Sequence, residues 1–147
     1  MNNLDPVDIL IVEDNLNDAE LTVRTLKKQN LANKITLVED GAEALDFIFC
    51  RGIYSGRSDL KFPKVIFLDL KLPKVSGLEV LKELKSNIET KKLPVVIFTS
   101  SKEDPDVKAA YELGANSYIV KPVAFDAFLH AITNAGLYWL VVNESPI

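Results

Sequence analysis

The sequence predicts a doubly wound α/β domain, a parallel sheet of about five strands with helices on both faces. Three observations predict it. Five short apolar runs recur along the chain, segments with helical spacing lie between them, and the runs are mostly β-branched or aromatic without polar alternation. Strands that alternate with helices in this way form parallel sheets through right-handed crossovers.

The first run, Val7 to Val12, is followed by Asp14, Asn15 and Asn17, residue types that start helices by accepting bonds from free backbone N–H groups. Ala19 to Gln29 then carries Leu21, Val23 and Leu26 at helical spacing. The second run, Ile35 to Val38, ends in Glu39-Asp40 before Gly41, which reads as a solvated helix start. Ala44, Leu45 and Ile48 follow within the helical segment Ala42 to Phe49. The next connection, Cys50 to Pro63, holds Gly52 and Gly56 and exceeds the ~2–6 residues usual between a helix and a strand. Long surface insertions cost little closure entropy, so it reads as a tolerated insertion.

The third run, Val65 to Leu68, precedes a helical segment Leu78 to Lys85 carrying Val80, Leu81 and Leu84. Pro94 introduces the fourth run, Val95 to Phe98. A helix over Asp106 to Leu113 follows, with Val107, Ala110 and Leu113, and Gly114 marks its end. After the fifth run, Ser117 to Val120, the residues Phe125, Phe128, Leu129 and Ile132 form an i, i+3, i+4, i+7 stripe that runs on through Trp139.

A chain of 147 residues, 48% hydrophobic and 26% charged, suits one globular domain. The expectation is a single domain over residues 1–147, with its core at about 5–135 and a C-terminal helix extension and tail over 136–147. A net charge of -4 argues against nucleic acid or an anionic membrane surface as partner. Cys50 is the only cysteine, so no internal disulfide forms and the cytoplasm is the expected compartment. The runs Ile9 to Val12 and Leu137 to Val142 fall short of a signal core or of the ~20 residues that span a bilayer, so no membrane segment is expected.

Ligands of open parallel sheets bind outside the carboxyl ends of the strands, which directs attention to the residues just after each run. The first run ends in Glu13-Asp14, the third in Asp69, the fourth in Thr99-Ser100 and the fifth in Lys121-Pro122. Three carboxylates converging there repel one another unless a cation offsets them. Oxygen donors with no nearby His or Cys suit Mg²⁺ or Mn²⁺ better than zinc. A carboxylate beside such an ion is also a competent nucleophile toward phosphorus. Lys121 supplies a point charge for a phosphoryl oxygen and Thr99 a hydroxyl donor. Each residue alone has a plainer reading: Asp14 or Thr99 as helix caps, Asp69 as a turn residue, Lys121 as a solvated rim charge. Their joint placement, one set per strand end, favours phosphoryl chemistry.

The segments DILIVEDN, VIFLDLKLPKVSGLEVL, PVVIFTSS and GANSYIVKP resemble, in order, the motifs of the receiver domains of bacterial response regulators. The resemblance implies a flavodoxin-like fold with strand order 2-1-3-4-5. It further implies a stand-alone receiver that takes a phosphoryl group on Asp69 from a histidine kinase and signals through a changed protein–protein interaction. By the same resemblance Glu13, Asp14, Asp69 and the Lys71 backbone carbonyl hold Mg²⁺, or Mn²⁺ in its place. Thr99 and Lys121 bind the phosphoryl group, and Ser100 is the small residue that allows access. Tyr118 is the aromatic switch, the Lys121–Pro122 bond is cis, and Pro73 and Gly77 form the turn after the phosphoacceptor strand. Lys71 and Ser101 occupy variable positions that tune phosphoryl lifetime, which therefore stays open.

The apolar stretch Leu137 to Val142 exceeds what a minimal receiver needs. It folds back on its own domain or forms a homodimer, and the dimer is the favoured expectation, with Phe128, Tyr138, Trp139 and Leu140 as interface residues. The tail and the long 50–63 connection resemble the small regulators paired with bacterial and cyanobacterial phytochromes. His130 reads as a helix surface residue and Cys50 as a small apolar residue at a helix end.

Three other readings compete. A phosphatase of the haloacid-dehalogenase type places a second Asp two residues after its nucleophile, where Lys71 stands. A flavodoxin-like cofactor binder needs a Ser-, Thr- or Gly-rich phosphate loop after the first strand instead of acids. A degenerate receiver lacks an acceptor, acid or lysine, and none is missing here. The chain is therefore expected to be a signalling phosphoacceptor and not an enzyme.

Overall fold

The alternation of side chains along each strand divides the apolar residues between two cores. The computed structural model describes residues 7–57 and 62–146. Its elements run β1 (Ile9–Val12), α1 (Leu16–Lys28), β2 (Ile35–Val38), α2 (Gly41–Ile48), β3 (Val65–Leu68), α3 (Gly77–Ser86), β4 (Val95–Thr99), α4 (Asp104–Glu112), β5 (Ser117–Val120) and α5 (Phe125–Gly136). All strand pairs are parallel, in the order β2-β1-β3-β4-β5. Leu10, Val12, Ile66, Leu68, Val95 and Ile97 face one side and pack on α2, α3 and α4. Ile9, Ile11, Val65, Phe67, Val96 and Phe98 face the other and pack on α1 and α5. This is the expected doubly wound architecture and strand order, and strands buried on both faces account for the lack of polar alternation.

Two strands depart from that pattern. β2 keeps only Val38 buried, and β5 has three half-buried residues before an exposed Val120, because these are the edges of the sheet. Strand β1 begins two residues later than its apolar run, since the Asp8 carboxylate turns aside to accept the N–H groups of Asn33 and Lys34. Helix α1 begins earlier than its apolar spacing, at Leu16, because Asn15 caps it by accepting the Asp18 N–H at 3.0 Å. The expected core start near residue 5 lies outside the described residues, as do residues 58–61 of the long connection.

The described part of that connection is fastened to α2 and so is more than a tolerated surface insertion. The Tyr54 ring meets Phe47 edge to face at 5.1 Å, and its hydroxyl donates to Glu43 at 2.7 Å. Burial and then the Glu43 carboxylate push the Tyr54 hydroxyl up to about 12. The Arg57 guanidinium stacks over the Phe47 ring at 3.8 Å and adds a side-chain donor to the Phe47 carbonyl, which also accepts the Cys50 N–H at the end of α2.

Beyond α5 the chain continues as a single π-helical stretch, Leu137–Val142. The combined segment Phe125–Val142 is long and apolar enough, by length and composition only, to cross a membrane, as core helices of folded domains also are. Here Phe128, Ile132, Ala135 and Leu140 are buried with Leu26 of α1 and the β-sheet residues of the second core. Two of the four expected interface residues, Phe128 and Leu140, are thus core residues of their own domain: the helical repeat turns them inward. Tyr138 is about half exposed, at 48%, and Trp139 half-buried, with their rings edge to face at 5.1 Å.

Candidate functional site

The carboxyl ends of β1, β3, β4 and β5 meet at one edge of the sheet, and the register of the ladders fixes which side chains meet there. Val12 pairs with Leu68, Leu68 with Ile97, and Thr99 with Val120, so the residues following β1, β3 and β5 emerge beside Thr99. Backbone bonds extend the ladder past the strands. The N–H of Asp69 donates to Val12 O at 3.1 Å, that of Glu13 to Val38 O at 3.0 Å, and that of Lys121 to Thr99 O at 2.7 Å. Each functional side chain thus leaves from a hydrogen-bonded backbone position.

Gly77 closes the site from the α3 side. A Cβ there would stand 2.1 Å from the Asp69 carbonyl oxygen and 2.6 Å from Leu70 Cα, so only glycine lets the start of α3 lie against the end of β3. Its N–H donates to Leu70 O at 2.8 Å, and the N–H of Lys71 reaches Asp69 Oδ1 at 3.3 Å.

At the centre stands Lys121, its side chain 7% exposed. Its Nζ lies 2.6 Å from Glu13 Oε1, 2.9 Å from Asp18 Oδ2 and 3.0 Å from Asp69 Oδ2. The rim-charge reading of Lys121 is therefore wrong. Asp14 and Thr99 are not helix caps either: Asn15 caps α1 and Glu103 precedes α4. One oxygen from each of Glu13, Asp14 and Asp69 lies within 4.8 Å of the others, with Glu13 and Asp69 buried and Asp14 exposed. Carboxylate oxygens alone, close together and open to water on one side, fit a hard divalent cation.

Burial drives the Glu13 carboxyl up to about 7, with the nearby Asp69 charge adding to it and the hydrogen bond from Lys121 opposing it. Burial also pulls the Asp69 carboxyl upward, but hydrogen bonds from Thr99 and Lys121 and the ammonium charge outweigh it, leaving Asp69 below its usual value. Burial lowers Lys121, and its bonds to Glu13 and Asp18 more than offset this, so it is raised. Lys121 stays cationic, and of the two buried carboxyls Asp69 gives up its proton the more readily.

Thr99 is fully buried and Ser100, next to it, is exposed. Two residues past Thr99, the Ser101 N–H reaches Thr99 Oγ1 at 3.4 Å, while its carbonyl accepts the Tyr118 hydroxyl at 2.8 Å. Tyr118 is thereby tied to the connection between β4 and α4. The Lys71 side chain is exposed, and His130 is exposed on α5. The Lys121–Pro122 bond is trans, contrary to expectation, as no described peptide bond is cis. Trans is the favoured form of an X–Pro bond by ~0.5–1 kcal/mol, and Lys121 reaches its three carboxylates with it.

Two participants escaped the sequence reading. Asp18 lies in the first turn of α1, four residues beyond the acidic pair, and Ser101 had been read only as a variable position. The sequence signal for Asp18 is its place one helical turn past the end of β1, where a first-turn acid reaches the sheet edge.

Comparison with known proteins gives a consistent picture. Residues 9–133 match the family model described as the response regulator receiver domain. The chain is 36% identical to response regulator Rcp1 of Synechocystis sp. over 141 residues, 96% of this chain and 94% of Rcp1. The crystal structure of the Mn²⁺-bound form of Rcp1 superposes with a TM-score of 0.89 at 35% identity, covering 97% of this chain and 100% of that one. The phosphorylated cyanobacterial phytochrome response regulator RcpA gives 0.89 at 32% identity with the same coverage. The bacteriophytochrome response regulator RtBRR is 47% identical, covering 97% of this chain and 85% of that one, with a TM-score of 0.76.

Proposed function

The chain belongs to the response regulator receiver domain family, and on that premise we propose that Asp69 accepts a phosphoryl group from a histidine kinase and that the chain signals by a phosphorylation-dependent change in binding. The observation that carries the reading is the buried Lys121 ammonium held against both Asp69 and Glu13 at the ends of three strands. An Asp69 oxygen attacks phosphorus, the phosphorus–nitrogen bond of the phosphohistidine breaks, and the imidazole nitrogen keeps the electron pair. Lys121 donates to the phosphoryl oxygens and Thr99 supplies a second donor, while exposed Ser100 leaves room for the group. Glu13, Asp14, Asp69 and the Lys71 backbone carbonyl would hold Mg²⁺, which would supply positive charge to offset that of the carboxylates and the incoming phosphoryl group. The Mn²⁺-bound form of Rcp1 and phosphorylated RcpA support this.

Tyr118 reports the event. Any shift of Thr99 toward the phosphoryl group moves Ser101, whose carbonyl holds the Tyr118 hydroxyl. The kinase is of the phytochrome class, as the names of RcpA and RtBRR suggest. The chain is a phosphoacceptor with no turnover of a separate substrate.

Incubation with Mg²⁺ and acetyl phosphate is expected to add the mass of one phosphoryl group to the wild type. Asp69→Asn, or chelation of the metal, is expected to leave the mass unchanged. An equally modified Asp69→Asn removes the reading.

We further propose a homodimer through the exposed residues Leu137, Tyr138, Val141 and Val142 of the π-helical stretch. Leu140 is a core residue, so point changes test this better than truncation. Tyr138→Ser with Val141→Ser is expected to halve the sedimenting mass with an unchanged circular dichroism spectrum, and an unchanged mass counts against the dimer.

A further inference from the structure

We propose that Asp18 is a positioning residue for Lys121: it anchors the ammonium from outside the trio of acids that face the cation, an inference that rests on the function proposed above. The Lys121 ammonium has three N–H donors, and the structure gives it three carboxylate acceptors, Glu13 at 2.6 Å, Asp18 at 2.9 Å and Asp69 at 3.0 Å. Two of these also belong to the acidic trio, Glu13, Asp14 and Asp69; Asp18 does not. Lys121 and a divalent cation compete for the same two carboxylates and repel each other. For Lys121 to share the site, its ammonium must withdraw from Glu13, and among the described residues Asp18 is the carboxylate outside the trio that it contacts.

Asp18 is built for that role. It sits in the first turn of α1, and the capping of that helix uses its backbone N–H, donated to Asn15 Oδ1, leaving the carboxylate free of any duty in the cap. The contact from Asp18 Oδ2 to Lys121 joins α1 to the end of β5, across 103 residues of sequence. The Asp18 side chain is 26% exposed against 4% for Glu13, so ionised Asp18 carries the smaller desolvation cost. An anchor on the α1 side leaves the ammonium beside Asp69, where a phosphoryl oxygen would lie.

The simpler account of Asp18 is a first-turn acid that favours the helix dipole and adds one more negative charge near the site. The two differ in whether its effect passes through Lys121, which a double-mutant cycle measures. Mn²⁺ alone serves as the probe, with free metal read by electron paramagnetic resonance, in wild type, Asp18→Asn, Lys121→Met and the double variant. Asp18→Asn is expected to weaken Mn²⁺ binding about five-fold in the wild-type background, the low end of coupling between linked sites, and to change it little in Lys121→Met. Equal weakening in both backgrounds, or none in the wild type, overturns the proposal while leaving the cation site itself standing. A wild type that binds no Mn²⁺ overturns the cation site and this inference together. Should Lys121→Met fail to fold, Asp18→Glu decides: its longer carboxylate still reaches the ammonium and is expected to restore Mn²⁺ affinity, and a Glu variant as weak as Asn overturns the anchor.

Discussion

Replacing Lys121 by methionine is expected to lower the free energy of unfolding by about 3 kcal/mol when divalent cations are absent, and millimolar Mg²⁺ is expected to restore most of that loss. The Glu13 and Asp69 side chains are 4% and 9% exposed, so water screens neither. Among the described residues, the cation that pairs with both is the Lys121 ammonium. Removing one partner of a buried ion pair costs about 3–5 kcal/mol because the remaining charge stays desolvated. The low end applies here, since the Glu13 carboxyl, pushed to about 7 by burial, takes up a proton readily. A divalent cation among the acids replaces the lost positive charge and binds only the folded chain, which is why it stabilises. Urea unfolding of both proteins, with chelator and with Mg²⁺, checks this. Equal midpoints for the two proteins in chelator contradict the role assigned to Lys121.

Gly77→Ala is expected to cost about 3 kcal/mol and to slow phosphorylation by acetyl phosphate about a hundred-fold. The added Cβ meets the Asp69 carbonyl oxygen at 2.1 Å and Leu70 Cα at 2.6 Å, and both are backbone atoms that no rotamer change moves. Either α3 lifts from β3 or the Asp69 backbone shifts. Both displace the carboxylate from Lys121, now 3.0 Å away, and from the Lys71 N–H. Gly56→Ala is the matched control, because nothing lies within 4 Å of a Cβ there. Comparable phosphorylation rates for the two variants contradict the positioning argument.

The architecture was legible because buried parallel strands carry the plainest of patterns. Val65 to Leu68 and Val95 to Phe98 are wholly apolar and wholly buried, and their order with the helices leaves few topologies. The edge strands were less legible: Leu37 and Val120 are apolar yet exposed, and only the strand order reveals which runs lie at the edges. Asn15, one of three residues that mark the start of α1 by type, proves to be its cap, whereas Ser76, the cap of α3, is polar and leaves no trace in the apolar spacing.

The site was legible for a related reason. A strand ends where its apolar run ends, so Glu13, Asp69, Thr99 and Lys121 are marked by their position alone. Asp18 is not, since it reaches the same place from one turn into a helix. Phe128 and Leu140 were misplaced at an interface because an apolar residue on a terminal helix carries no sign of which face it occupies. The burial of both against the second core decides that. The docking of the long connection through Tyr54 and Arg57 depends on contacts with Glu43 and Phe47 that no local pattern announces.

Asp69 as phosphoryl acceptor is the central claim, and reduction of the acyl phosphate tests it most directly. Borohydride converts a phosphorylated aspartate to homoserine, which peptide mass spectrometry assigns to a position. After treatment with acetyl phosphate and Mg²⁺, the account predicts homoserine at position 69 and at no other acidic residue, and none without the phosphodonor. Homoserine at position 14 or 18, or 5-hydroxynorvaline at position 13, with Asp69 intact, would contradict the account.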